Sequence, residues 1–207
     1  MSDDLVLYTH PMSRGRVARW MLEETGLPYA TEFLEYGTTM KAPEYLAINP
    51  MGKVPALRHG STVITENAAI ALYLGDLAPD RQLAPPPGSR ERGPYYRWIC
   101  FMGPLEQALM AKAAQAQYAP MQAGFGTEAD VVGTLDAAIG DRDHLAGGHF
   151  SMADLLVAAC LGWFLQFKLL EPRPNLVRFA ALHQARPAAQ RAYRIDDEEL
   201  SRRKAAG

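Results

Sequence analysis

The chain has 207 residues, room for one large domain or two modest ones, and 48% of them are apolar, enough for a sizeable core. A formal net charge of −2 gives no reason to expect nucleic acid or an anionic membrane as a partner, and no apolar run approaches the ~18 residues of a membrane-spanning helix. The start, Met1-Ser2-Asp3-Asp4, lacks the basic opening of a signal peptide, and Cys100 and Cys160 lie far apart among apolar residues, which reads as two buried thiols in a reducing, cytoplasmic compartment.

In chain order, Leu5-Val6-Leu7-Tyr8 is a short continuous apolar run, the pattern of a central strand buried on both faces. Pro11 to Arg16 forms a loop, with Ser13 placed as the N-cap of a helix over 14–25 that Gly26 closes. A second strand is expected from Tyr29 to Leu34, and a short helix from Pro43 to Ile48. Val54 to Arg58 and Ser61 to Ile64 read as a hairpin around His59-Gly60, followed by a helix over 66–77. The order βαβ then ββα implies a parallel pair with an antiparallel edge.

The proline-rich stretch from Ala78 to Ser89 cannot continue a helix or join a sheet interior, and it reads as a linker. Beyond it no strand is expected. Helical patterns run over 93–116, 128–139, 152–170 and 176–185, with Pro104 kinking or dividing the first. Ser151 and Asp154 have the spacing of a capping box ahead of an apolar run, a folding signal and not a catalytic pair. No Cys-x-x-Cys pair and no spaced Cys/His set occurs, so no metal is expected.

Chemistry concentrates in three segments of the first half. A proline at the head of a strand cannot donate to the ladder, so Pro55 marks where pairing begins. It is either an ordinary boundary residue or, with a cis bond, one that turns the Val54 backbone outward for an added peptide strand. Glu66 and Asn67 open a helix, where N–H groups are unpaired and the dipole is positive. They serve capping, with Thr65 as the cap, or they bind a carboxylate and an ammonium. Ser13 caps its helix, or it donates a hydrogen bond to a bound thiolate and lowers the thiol pKa.

Together Asn49-Pro50-Met51-Gly52-Lys53-Val54-Pro55, Glu66-Asn67 and the Ser151/Asp154 box resemble the cytosolic glutathione S-transferase family of bacterial, serine-using type, over nearly the whole chain. The resemblance implies an α/β plus all-α fold. A thioredoxin-like N-terminal domain would occupy residues 1–79, a linker 80–89 and an all-helical C-terminal domain 90–207. It also implies a cis Val54-Pro55 bond, a homodimer and glutathione as co-substrate. By position, Val54 would pair with the cysteinyl backbone and Glu66 and Asn67 would hold the γ-glutamyl end. Lys53 and Lys41 would face the glycyl carboxylate, and Arg16 would support the site or its loop.

Many relatives have serine where this chain has Asn67; asparagine can still donate and accept. Ser13 is the first choice for activating the thiol, with Tyr8 as rival and Thr9 and His10 behind. The absence of cysteine there argues against disulfide-exchanging classes. The second substrate would be an apolar electrophile, with Tyr96, Phe101, Met102 and Tyr118 either lining its pocket or serving as core. An isomerase, dehalogenase or peroxidase on the same site, or a non-enzymatic interaction module, are the alternatives.

Overall fold

The computed structural model describes residues 4–119 and 121–206; the acidic start Met1-Ser2-Asp3, Pro120 and Gly207 lie outside them. The chain forms two compact units. One holds the N-terminal residues through Arg81 together with the segment from Arg186 onward, and the other is Gln82–Ala185.

The first unit is built on a four-stranded sheet of order β2-β1-β3-β4. Strand β1 (Leu5–Thr9) pairs in parallel with β2 (Tyr29–Phe33) across helix α1 (Gly15–Thr25). It pairs antiparallel with β3 (Ala56–His59), which makes a tight hairpin with β4 (Thr62–Thr65). Gly26, at φ 67°, ends α1 and returns its N–H to the Leu22 carbonyl, as a left-handed cap should.

Alternation along β1 divides the core. Leu7 and Thr9 face α1 and helix α3 (Asn67–Leu77), with Ala18, Met21, Leu22, Ile70, Ala71 and Leu74 buried there. Tyr8 faces the other way, into a cluster of Met40, Tyr45 and Ala56 with Leu34, Ile48 and Val54. Tyr45 comes from the short helix α2 (Pro43–Leu46).

The second unit is helical: α4 (Arg92–Ala113), α5 (Glu128–Ile139), α6 (Met152–Gln166) and α7 (Pro174–Gln184). Pro104 is accommodated inside α4 and does not divide it. Helix α6 is buried almost all round from Met152 to Leu161 and packs against α4 and α7, which is why its sequence is apolar on every face. Its capping box is present: Asp154 accepts the Ser151 N–H at 2.8 Å and also the Leu145 N–H at 2.7 Å. Burial pushes the Asp154 carboxyl above its ordinary range, and these hydrogen bonds pull against it. Among the described residues no helix is long and apolar enough to cross a membrane.

Three expectations are corrected. Helix α8 (Pro187–Ala206) lies beyond the last helical pattern read from the sequence. It packs on α1 in the first unit, although residues 90–207 were expected to form one domain. The reason is chemical. Its buried stripe is Ala188, Ala189, Ala192, Asp196 and Glu199, so the periodicity is there but is carried by small and acidic residues. Cys100, expected to be buried, is exposed on the outer face of α4 beside buried Ile99, while Cys160 is buried.

Helix α8 and the residue just before it are fastened by ion pairs to α1: Arg186 to Glu24 at 2.7 Å, Arg191 to Glu23 at 3.0 Å, and Asp196 to the fully buried Arg19 at 3.0 Å. Burial pushes the Asp196 carboxyl up, and Arg19 pulls it back. Removing one partner of a buried pair strands the other charge, so Asp196→Ala should destabilise the protein by about 3–5 kcal/mol. The paired change Arg19→Met with Asp196→Leu should recover much of that loss. Urea unfolding checks both, and a loss under 1 kcal/mol for the single variant counts against a structural role for the pair.

Candidate active site

The sheet register brings the three segments to one edge. Ala56 opens β3 opposite Tyr8, near the end of β1, and opposite Thr65, the end of β4. The loop after β1, the Val54-Pro55 step before β3 and the Glu66-Asn67 pair after β4 therefore meet at the same end of the sheet. A hydrogen bond joins two of them directly: Asn67 Nδ2 donates to the Arg14 carbonyl at 3.2 Å.

The loop from His10 to Arg14 is closed by its own side chains. Ser13 Oγ donates to the His10 carbonyl at 2.6 Å and accepts the Gly15 N–H at 2.9 Å. The N-cap by backbone geometry is Arg14, one residue later than expected, yet the Ser13 hydroxyl still takes the first free helix N–H. Gly15 is required here, because a Cβ would lie 1.9 Å from Thr9 Oγ1. His10 accepts the Met12 N–H on Nδ1 at 3.0 Å, and its ring lies 4.5 Å from that of Tyr36. Burial pulls the His10 pKa below its ordinary value, with Arg203 adding to the effect and Glu35 opposing it.

The rivals of Ser13 are placed differently. Tyr8 points to the sheet face opposite α1, and its hydroxyl accepts from Arg58 Nε at 3.2 Å. Thr9 is fully buried, and its hydroxyl has no hydrogen-bond partner among the described residues. Arg16 turns away from Val54 and Glu66: it donates to the Pro11 carbonyl at 3.2 Å and pairs with Asp197 of α8 at 2.8 Å.

Two buried side chains, Tyr45 and Asn49, hold the turn before β3. Buried Asn49 donates to the Lys53 carbonyl at 2.8 Å and accepts the Met51 N–H at 3.1 Å, and the Tyr45 hydroxyl donates to the same Lys53 carbonyl. Burial pushes the Tyr45 phenol up to about 12, so it stays a donor. Gly52, at φ 57°, lies where a Cβ would come within 2.6 Å of the Met40 carbonyl. The Val54-Pro55 bond is cis, and among the described residues neither the N–H nor the C=O of Val54 has a hydrogen-bond partner. Lys41 Nζ reaches the Met51 carbonyl at 2.8 Å, while the exposed Lys53 ammonium makes no bond among the described residues.

Glu66 has φ 66° and ψ 123°, a conformation L-residues rarely adopt. Thr65 ends β4 and provides no side-chain cap, contrary to expectation, and the cap position falls to Glu66 itself. The Glu66 carboxylate is exposed and free of partners among the described residues. Asn67 Oδ1 is buried and has no hydrogen-bond partner among the described residues. This edge therefore offers an unpaired backbone step, an unpaired carboxylate, an unpaired ammonium, the start of a helix and a serine hydroxyl.

Among the described residues one group has metal-ligating types in proximity, His144, Asp154 and His183 in the second unit. Its carboxylate already accepts from Leu145 N, Ser151 N and Ser151 Oγ, which suits a cap better than a cation. Of the residues named for an electrophile wall, Met102 is buried in α4, while Tyr96 and Tyr118 are exposed.

Residues 12–77 match the pattern of the glutathione S-transferase N-terminal domain and residues 101–187 that of the C-terminal domain. A glutathione S-transferase of Xanthomonas campestris is 32% identical over 166 residues, covering 76% of this chain and 81% of that protein. GstA of Escherichia coli O157:H7, also a glutathione S-transferase, is 31% identical over 156 residues, 72% of this chain and 76% of that one. A sphingomonad glutathione S-transferase solved with glutathione superposes with a TM-score of 0.77 at 29% identity, over 93% of this chain and 98% of that one. With both domain patterns in sequence and a thioredoxin-like sheet followed by a helical unit, the chain belongs to the glutathione S-transferase family.

Proposed function

We propose that this glutathione transferase grips glutathione along the Val54 edge, ionises its thiol with help from Ser13 and directs the thiolate at an apolar electrophile. The observation that carries the reading is the convergence of free groups at one end of the sheet. An unpaired Val54 N–H and C=O suit the cysteinyl backbone of the peptide. The free Glu66 carboxylate suits the γ-glutamyl ammonium, and the start of α3 at Asn67 suits its carboxylate. Lys53 suits the glycyl carboxylate better than Lys41, whose ammonium is held by the Met51 carbonyl. Arg16 acts on the loop, through Pro11 and Asp197.

In the reaction the thiol proton leaves to solvent. The Ser13 hydroxyl swings its proton from the His10 carbonyl to the sulfur, while the Gly15 N–H continues to donate to Oγ and polarises it. Lowering a thiol pKa by about two units requires about 2.7 kcal/mol. One charge-assisted hydrogen bond gives about 1.5–3 kcal/mol. The sulfur pair then forms the C–S bond, and the electrophile's leaving group departs with the displaced pair.

A cytoplasmic location fits two free cysteines, one of them exposed. Homodimerisation fits the outer face of β4 and α3, where Ile64, Ala69, Leu72 and Leu77 remain half-buried within the single chain.

Ser13→Ala should lower kcat about ten- to a hundred-fold, the value of one charge-assisted bond, while glutathione KM changes little. The thiolate absorbance of bound glutathione, followed against pH, should shift its midpoint upward by one to two units, roughly; an unmoved midpoint removes Ser13 from the role. Glu66→Gln, which keeps the shape, should weaken glutathione binding about tenfold in calorimetry and leave the thiol midpoint near its original place. Equal affinity in that variant counts against Glu66 as the ammonium's partner.

A further inference from the structure

The Ser13 hydroxyl depends on a residue whose own state is set at a distance. Two of the bonds that close the loop end on His10: its carbonyl takes the Ser13 O–H at 2.6 Å, and its Nδ1 takes the Met12 N–H at 3.0 Å. An Nδ1 that accepts must carry no proton, so the neutral ring is the Nε2–H tautomer. Nε2 faces Glu35 Oε2 at 3.6 Å, a carboxylate that favours the proton there. The other Glu35 oxygen pairs with Arg203 of α8, and Arg203 Nε is held by Glu199 at 2.7 Å, with its guanidinium over the Phe33 ring at 5.6 Å. Arg203 is thus fixed from three sides, although it belongs to the last helix.

We propose that His10, Glu35 and Arg203 form a positioning relay by which α8 sets the tautomer of His10 and, through it, the direction of the Ser13 hydroxyl. A ring free to carry its proton on Nδ1 would leave the Met12 N–H without an acceptor. The loop would lose one of the bonds that close it, and the Ser13 hydroxyl would lose the fixed position from which it turns to the sulfur. The charge on Arg203 keeps the Glu35 carboxylate turned to both neighbours, which an apolar side chain of similar length cannot do. The relay rests on the reading that the loop carries the thiol-activating group.

The test uses the full chain with 15N-labelled histidine and bound glutathione. Arg203→Met and Glu35→Gln are compared with the unaltered protein, with Arg203→Lys as the conservative control. The expected result is an Nε2–H nitrogen pattern for His10 that becomes mixed in both variants. The thiol midpoint of bound glutathione should rise by about half a unit in each, the scale of one exposed ion pair, and Arg203→Lys should restore part of it. In Ser13→Ala with Arg203→Met the second change should add nothing, because both act through one group. A His10 pattern unchanged in both variants overturns the relay. So does a mixed pattern with an unmoved thiol midpoint, since the three residues would then be structural alone. If Ser13→Ala leaves the midpoint in place, the serine reading and the relay fall together; if Ser13→Ala raises it while Arg203→Met and Glu35→Gln do not, the relay alone falls.

Discussion

One guanidinium holds the first unit together. Arg19 lies inside α1 with almost no exposure, yet it reaches three side chains on two other elements: Asp196 on α8 at 3.0 Å, Thr31 on β2 at 3.0 Å and Tyr29 on β2 at 3.3 Å. Burial pushes the Tyr29 phenol up to about 12, and its proton goes to Glu23 at 2.8 Å. A buried charge tolerates only a fixed and well-bonded setting, so the angle of α1 to both the sheet and α8 follows from this residue. The start of α1 is where the Ser13 loop is anchored, and the position of α8 decides where Arg203 and Asp197 stand. The geometry of the site edge therefore depends on an interaction well away from it.

The site combines stored strain with unspent hydrogen-bonding capacity. Glu66 is held at φ 66° between a strand and a helix, so its carboxylate is directed by the backbone and not by any partner. The opposite holds for the turn at Asn49, where three hydrogen bonds fix one carbonyl, that of Lys53, and one amide, that of Met51, while the next residue, Val54, has no backbone partner among the described residues. One side is rigid because it is saturated, and the other is open because its neighbours are.

What the sequence made legible follows the range of the interactions involved. The continuous apolar run at Leu5 to Tyr8, the hairpin glycine Gly60 and the Ser151/Asp154 box are local signals, and each marks its strand, turn or helix start where it was expected, although the helix after the box ends at Gln166 and not Leu170. Pro55 with Glu66-Asn67 pointed to the site because a rare backbone step and a helix start carry chemistry in their own residue types. The parts that escaped are nonlocal. Helix α8 buries alanines and an acid, Asp196, whose partner Arg19 lies more than 150 residues away in sequence, so no stripe of large apolar residues announces it. Tyr45 and Asn49 act on the Lys53 carbonyl through contacts that only the fold creates. Cys100 sits among apolar letters but on the wet face of its helix, a matter of a single helical turn.

The placement of α8 has a consequence for how the protein is made. The sheet that forms the site edge and the helix that braces it are separated by the whole of Gln82–Ala185. At about 5–20 residues per second, a ribosome spends roughly 5–20 s between releasing the strands and releasing their partner helix. During that interval Arg19 has no counter-ion and the face of α1 that will receive α8 is wet, while the intervening helical unit has all of its own residues at hand. The order of maturation thus runs opposite to the order of the sequence: the unit encoded in the middle can close first, and the sheet unit, encoded first, is completed last.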